Sequence, residues 1–360
     1  MSLLLEPLSF ASGAHLKNRF ALAPLTNQQS FPDGRLSDEE FRWLSMRAEG
    51  GFGLVMTCAA SVSREGVTLP GQLGVHDDMH LEGLTRLAAA LTREGAHAVA
   101  QLHHGGMRAL RTLSGMQPVA PSDDSKTGAR ALTRDEVQHA RDDFIAAALR
   151  AERAGFDGVE LHAAHGYLIC QFLSAHYNRR EDEYGGAFEN RARLLWEIIE
   201  GVRAACRPGF SLGVRLSPER FGMRMDEILG LAQALMRDPR IDYVDMSLWD
   251  VFKEPDDEAY KGKSLMAHFA ALERGRARLG VAGDVMTGDA AARCIAEGVD
   301  FVLIGRAGIF HHDFPKRVAA DAHFKPVDLP VGRDYLRQEG VGAPFAAYLA
   351  ERWPHMVVLD

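Results

Sequence analysis

The chain alternates short apolar runs with longer segments in which apolar residues recur at helical spacing. Eight runs have the length and composition of buried strands, at residues 19–23, 53–57, 96–102, 157–162, 211–216, 242–247, 281–282 and 301–304. Helical segments cover residues 38–49, 81–93, 133–154, 188–205, 226–236, 268–279 and 290–297, and a short helix starts near 314. The alternation predicts parallel βαβ units, and eight strands is the number that closes a (β/α)8 TIM barrel.

Three stretches fall outside this alternation. Residues 2–18 predict an N-terminal cap, and residues 105–131, rich in Gly, Pro, Ser and Asp, predict an excursion after the third strand because they are too long for a plain connection. The tail from 324 to 360 shows no period. We therefore predict one domain over residues 1–360, with its barrel at about 19–320. An open doubly wound sheet is the alternative, but the chain contains no G-x-G-x-x-G fingerprint.

Composition narrows the class of function. The 360 residues are 46% hydrophobic and carry a net charge of -8, which argues against nucleic acid as a partner because such proteins show a basic footprint. None of the four cysteines lies within metal-ligand spacing of another. No apolar run approaches the roughly 20 residues of a membrane span, and the start of the chain lacks a signal-peptide pattern. We expect a cytoplasmic enzyme that works without a membrane.

The residues at the ends of the predicted strands carry the candidate chemistry. In barrels of this type, reactive groups gather at the C-terminal ends of the strands. These ends are Thr26, Ala59, Gln101, His162, Arg215, Ser247, Gly283 and the pair Gly305-Arg306. Gly283, Gly305 and Arg306 belong to the last two strands, where this fold favours phosphate. Arg215 interrupts an apolar strand, so its charge needs a partner, either an anionic cofactor ring or a structural carboxylate.

Residues 158–193 form the densest polar stretch of the chain. His162 and His165 are three residues apart, and Tyr167 follows. The two imidazoles can be read as metal ligands, together with His103 and His104, which would make the protein a metal-dependent barrel hydrolase. They can also be read as N–H donors to a carbonyl oxygen that gains negative charge, with the Tyr167 phenol as general acid. Spacing alone leaves both interpretations open.

The motifs of this stretch closely resemble the signature of the Old Yellow Enzyme family of FMN-dependent ene-reductases. They are HAAHGYL at residues 162–168, QFLS at 171–174, YGG at 184–186 and ENR at 189–191. The resemblance extends to Ala23-Pro24-Leu25-Thr26, Gln101, Val214-Arg215 and Ile304-Gly305-Arg306, and it covers roughly residues 3–320.

The resemblance implies a barrel that holds FMN, tightly and without a covalent bond, across its mouth. The cofactor-binding residues would be Pro24, Leu25, Thr26, Ala59, Gln101, His162, Arg215, Ser247, Gly283, Gly305 and Arg306. His162 and His165 would bind the oxygen of an α,β-unsaturated carbonyl or nitro compound. Tyr167 would protonate its α-carbon while flavin N5 delivers hydride to the β-carbon. NADH or NADPH would reduce the flavin first, which gives a ping-pong cycle.

The chain also departs from the branches of that family. One branch has cysteine at the position of Thr26 and an aromatic residue at the position of Gln28, which we therefore expect to contact substrate. Another branch pairs threonine with a His/Asn donor pair, whereas this chain has His162 and His165. In one branch a C-terminal arginine enters the neighbouring subunit's pocket. In this chain Arg352-Trp353 is followed by a seven-residue extension, which departs from that pattern. We expect a homodimer or a higher homo-oligomer.

Overall fold

The computed structural model describes residues 3–359. Its strands β1 to β12 are Leu8–Ser9, His15–Leu16, Phe20–Leu22, Leu54–Ser61, His97–His103, Val119–Ala120, Arg130–Ala131, Gly158–Ala163, Ser211–Leu216, Tyr243–Ser247, Arg278–Ala282 and Phe301–Ile304. Helices α1 to α14 are Asp38–Glu49, Leu81–Arg93, Arg111–Ser114, Arg134–Arg153, Leu168–Leu173, Phe188–Arg191, Arg193–Ala205, Met225–Arg237, Leu265–Ala270, Gly288–Ala296, Arg306–Phe310, Phe314–Ala320, Arg333–Gln338 and Ala343–Arg352.

Eight of these strands close a parallel barrel in the order β3-β4-β5-β8-β9-β10-β11-β12, which confirms the predicted (β/α)8 fold. Every barrel strand is mostly buried, as expected when helices cover the outside and side chains fill the inside. Side chains cap the N-termini of α1 and α4: Ser37 accepts from the Glu40 amide and Thr133 from the Glu136 amide. Within residues 3–359, no helix is both long enough and apolar enough to cross a membrane.

The N-terminal end of the barrel is closed by the predicted cap. Strands β1 and β2 pair antiparallel, and the Phe10 ring between them stacks on Tyr243 at 5.2 Å and contacts Phe301 at 6.1 Å. Gly213 makes room for this layer, because a Cβ there would lie 2.1 Å from the Tyr243 ring. With its floor filled, the barrel is accessible from the C-terminal ends of its strands.

Two sequence predictions were wrong in detail. A helix over 268–279 is replaced by α9 and strand β11, because the chain leaves the helix at Ala271 and Gly275 bonds back to Met236. The helix over 188–205 is interrupted at Ala192. The predicted excursion at 105–131 follows the third barrel strand and contains a 3-10 turn, α3 and the paired strands β6 and β7.

The C-terminal tail is also ordered, and α13 and α14 fold back onto α1. Arg47 of α1 is fully buried and donates hydrogen bonds to the carbonyls of Trp43, Gly308, Ile309 and Glu339. Its guanidinium carbon lies 3.2 Å from the centroid of the Trp43 ring. One side chain therefore joins α1, α11 and the end of α13.

Replacing Arg47 by methionine should lower the free energy of unfolding by about 3–5 kcal/mol, because it leaves buried carbonyls unpaired. The urea midpoint of the FMN-loaded protein measures this loss. The matched control is Arg42→Met, an exposed arginine on the same helix, which should change stability by less than about 0.5 kcal/mol. Equal losses in the two variants would show that Arg47 does not anchor the tail.

Candidate active site

A cavity of about 260 Å³ opens at the C-terminal end of the barrel. Its lining includes eight residues predicted from the sequence, namely Pro24, Leu25, His165, Arg215, Ser247, Gly283, Gly305 and Arg306. It also includes Trp249, together with Asp284 and Trp353, and the last two were not selected by the sequence reasoning. Trp353 follows α14, so the C-terminal segment forms part of the wall of its own barrel.

The other predicted residues lie around this cavity and do not line it. The Thr26 side chain lies next to Tyr348 of α14. Gln101 is turned into the barrel, where its amide donates to Glu160 at 2.7 Å. The Ala59 carbonyl accepts from a glutamine amide at 2.8 Å. Gln28 has a left-handed φ of 55° and is not part of the lining, so its predicted contact with substrate stays a prediction.

His162, His165 and Tyr167 form one cluster at the end of β8. His162 is buried and pairs in register with Arg215 on β9. Its Nε2 lies 2.8 Å from Nδ1 of His165, and the Nε2 of His165 lies 2.8 Å from the Ser247 hydroxyl. The Tyr167 ring lies 5.0 Å from the His162 ring, and the Arg108 guanidinium lies 4.7 Å from the Tyr167 centroid.

The local backbone explains how two histidines three residues apart meet. His165 adopts a left-handed φ of 61°, and its amide is held by the Ser217 hydroxyl at 3.0 Å. Burial, followed by the neighbouring imidazoles and by Arg215 and Arg108, lowers the pKa of His162 well below its usual value. Burial, followed by Arg215 and Arg108, does the same for the pKa of His165. Both imidazoles are therefore neutral at pH 7, and each carries one N–H.

Two buried carboxyls lie below this cluster inside the barrel. Asp245 pairs with Arg215, with 3.0 Å between the Arg215 Nε and the Asp245 Oδ2. Burial and then Asp245 raise the pKa of Glu160 to about 8, while burial raises the pKa of Asp245 to about 6 against the effect of Arg215. The Arg215 cation thus balances the ionised Asp245 carboxylate, and Glu160 holds its proton at neutral pH.

Sequence reasoning missed both carboxyls, although a signal was present. Side chains two residues apart along a strand share one face, so Glu160 must face the interior with His162, and Asp245 with Ser247. The registers place Gln101 opposite Glu160 and Asp245 opposite Arg215. The residue two positions before each predicted site residue on a strand therefore also faces the barrel interior. Checking these positions in the sequence would have identified this second polar layer.

The pKa of Glu160 predicts how stability depends on pH. Because its pKa is raised in the folded protein, Glu160 contributes stability that is present below its ordinary pKa and is lost as pH rises toward about 8. Glu160→Gln removes this titration, so its urea midpoint should fall less than that of the wild type between pH 5.5 and pH 8.5. The control Glu181→Gln, at an exposed position, should follow the wild type. If the urea midpoint of Glu160→Gln fell with pH as steeply as that of the wild type, Glu160 would not be the group that titrates.

Three residues that line the cavity, Gly283, Gly305 and Arg306, have the features of a phosphate site. Gly283 packs so closely that a Cβ would lie 2.9 Å from the Trp249 backbone, whereas a Cβ at Gly305 would come no nearer than 3.9 Å to Leu25. Arg306 is half-buried and pairs with Asp284 at 2.5 Å. A guanidinium that keeps free N–H groups suits phosphate.

This donor set fits FMN. Arg215 and Arg306 both line the cavity between apolar walls formed by Pro24, Leu25 and Met286. A planar ring that carries a phosphate matches two cations in one apolar cleft, and Ser247 adds a hydroxyl. The buried Arg215 already has one carboxylate partner and still faces the cavity, where the ring could accept its remaining N–H groups.

The four histidines of the metal interpretation do not come together. His104 turns away, with its Nδ1 accepting from the Gly106 amide at 3.0 Å and its Nε2 lying 3.7 Å from Glu65. Among residues 3–359, no group of three or more His, Cys, Asp or Glu side chains has a geometry that could hold a metal ion. The ring nitrogens of His103, His162 and His165 lie within hydrogen-bond distance of one another, so these imidazoles are joined by N–H···N hydrogen bonds.

Residues 3–323 match the NADH:flavin oxidoreductase / NADH oxidase family. The probable NADH-dependent flavin oxidoreductase YqiG of Bacillus subtilis is 38% identical over 84% of this chain and 84% of that one. An NADPH dehydrogenase of Bacillus cytotoxicus is 32% identical over 87% of this chain and 91% of that one. Other relatives are longer, and this chain spans 36% and 32% of two of them.

Solved structures show the same likeness. The Old Yellow Enzyme homologue from Zymomonas mobilis superposes with a TM-score of 0.80 at 31% identity, over 92% of this chain and 96% of that one. The barrel and the excursion after its third strand lie within the residues 3–323 that the family model matches.

Proposed function

The chain belongs to the NADH:flavin oxidoreductase / NADH oxidase family, as an FMN-dependent NAD(P)H oxidoreductase of the Old Yellow Enzyme type, and we propose that it reduces the activated C=C bond of α,β-unsaturated carbonyl or nitro compounds. The observation that carries this proposal is the cluster of two neutral imidazoles and one phenol beside a cavity lined by Arg215.

His162 and His165 would bind the substrate oxygen. As hydride adds to the β-carbon, negative charge collects on the carbonyl or nitro oxygen, and N–H donors fixed in a buried site stabilise that charge. Neutral imidazoles serve this role without titrating near pH 7, because the pKa of each lies well below the usual value. The Ser217 bond to the His165 amide holds the turn that presents the second donor.

Tyr167 would supply the proton for the α-carbon. A phenol O–H can donate its proton as a general acid. Its ring packs edge-on against His103 at 4.3 Å, and Arg108 covers it. These contacts fix the ring next to the two imidazoles, so that the oxygen donors and the proton donor act on one substrate.

FMN, when bound, supplies the hydride for this reaction. Arg215 and Ser247 would hold its pyrimidine side, and Gly283, Gly305 and Arg306 its phosphate. Thr26, Ala59, Gln101, Pro24 and Leu25 would surround the ring. Gln101 would exchange its bond to Glu160 for one to the cofactor.

A steady-state screen of enones and nitroalkenes, each with NADH and with NADPH, tests the proposal. We expect turnover of both acceptor classes with parallel lines in double-reciprocal plots, because both reactants would use one cavity. Phenol titration of the yellow enzyme should add a long-wavelength absorption band. An enzyme that oxidises NAD(P)H with dioxygen but reduces none of these acceptors would rule out the proposed substrate class.

A further inference from the structure

The cluster contains a third histidine that the reaction proposed above does not use. His103 lies on β5, and its Nδ1 is 3.0 Å from Nδ1 of His162. The contacts continue from His162 Nε2 to His165 Nδ1 at 2.8 Å and from His165 Nε2 to the Ser247 hydroxyl at 2.8 Å. Four side chains thus form one unbranched row from the barrel wall to the cavity.

Each imidazole in the row is neutral. Burial lowers the pKa of His103 to about 3, and it also lowers those of His162 and His165. A neutral imidazole has one N–H donor and one bare nitrogen acceptor. The row therefore has two arrangements, one with every N–H directed toward Ser247 and one with every N–H directed toward His103.

The buried end of the row distinguishes the two arrangements. Nε2 of His103 is buried and has no hydrogen-bond partner among the described residues. Protons directed toward His103 would leave an N–H donor on that nitrogen, whereas protons directed toward Ser247 leave only a bare lone pair. Orphaned buried N–H groups are rarer than under-satisfied acceptors. The second arrangement is therefore favoured, with N–H on Nδ1 of His103 and on Nε2 of both His162 and His165.

We propose that His103 is a positioning residue whose Nδ1–H fixes His162 in its Nε2–H tautomer. His162 then donates to Nδ1 of His165, which leaves the N–H of His165 on Nε2, where this cavity-lining residue presents a donor to the substrate oxygen. The inference rests on the proposed role of the His162–His165 pair in binding that oxygen. Without His103, Nδ1 of His162 has no donor, and the competing Nδ1–H tautomer of His162 would let His165 present a lone pair to the substrate. A partner behind a functional histidine commonly selects its tautomer in this way.

Two substitutions separate the hydrogen bond from the shape of the ring. The His103 and Tyr167 rings lie 4.3 Å apart. His103→Phe keeps a ring at this position but has no N–H donor. His103→Asn loses the ring, but its amide nitrogen can take the place of Nδ1. If His103 acts only through the shape of its ring, His103→Phe should be less damaging than His103→Asn. If His103 acts as a hydrogen-bond donor, His103→Asn should be less damaging than His103→Phe.

The experiment uses FMN-loaded enzyme labelled with ¹⁵N-histidine. Two-bond ¹H–¹⁵N spectra report the His162 tautomer, assigned with a His162→Ala sample, and 4-chlorophenol titration reports oxyanion binding. We expect pure Nε2–H in the wild type and in His103→Asn. In His103→Phe we expect a mixture of His162 tautomers and about tenfold weaker 4-chlorophenol binding. This is the usual loss of affinity when the hydrogen-bond partner behind a binding histidine is removed.

Pure Nε2–H with unchanged phenol affinity in His103→Phe would overturn the inference, as would a loss that His103→Asn fails to restore. The proposed function fails differently. If the wild type shows the Nε2–H tautomer and His103-dependent phenol binding but reduces neither enones nor nitroalkenes, the reaction class is wrong and the positioning role of His103 stands.

Discussion

Tyr167→Phe is expected to slow the reaction of pre-reduced enzyme with an enone by about 10²–10⁴-fold, the usual contribution of a general acid. Reduction of the enzyme by NADH or NADPH should change by no more than about threefold, because the cavity and its arginines are untouched. Phenylalanine keeps the contacts of the ring with His103 and Arg108. Stopped-flow absorbance at the flavin band measures the two half-reactions separately.

Nitroalkenes provide an internal control for this variant. A nitronate product is stable without immediate protonation at carbon, so Tyr167→Phe should consume nitroalkenes faster than enones and release the nitronate. Tyr177→Phe, on a tyrosine in contact with His176 and outside the cluster, should leave both half-reactions unchanged. Equal losses in the two half-reactions of Tyr167→Phe would exclude a role as proton donor.

The contrast between strand ends and strand interiors shows how far the sequence can predict this site. The end of an apolar run can be read directly from the sequence. This was sufficient to predict that His162, Arg215, Ser247 and Gly283 lie together at the C-terminal end of the barrel. The side chains just inside, Glu160 and Asp245, look like polar interruptions of a strand until the barrel register brings them against Arg215. Their pKa shifts come from burial, which depends on the closed barrel.

The tail was harder to predict for a different reason. Its helices are 6 and 10 residues long, too short for a clear period. Pro344 lies in the first turn of α14, where proline is tolerated, so it marks a helix start and not a break. That Tyr348 reaches Thr26 and that Trp353 lines the cavity follows from packing on α1, over more than 300 residues of sequence separation. No local pattern encodes such a contact.

Arg215→Met is expected to lower the free energy of unfolding of the apoprotein by about 3–5 kcal/mol, because it leaves the fully buried Asp245 without a cation. Loss of Arg215 removes the effect that lowers the pKa of Asp245, so that pKa rises further. Asp245 can then become neutral by taking up a proton at low pH. The destabilisation should therefore be larger at pH 8 than at pH 5.5 in urea unfolding.

The double variant Arg215→Met with Asp245→Asn separates the structural role of Arg215 from its role toward FMN. Asparagine removes the unpaired charge, so the double variant should regain at least half of the lost stability and lose the part of the pH dependence that comes from Asp245. FMN affinity, measured by quenching of flavin fluorescence, should stay weakened in both variants, because neither offers a cation to the ring. If the double variant instead recovered FMN affinity together with stability, Arg215 would act on the cofactor only by holding the barrel in shape.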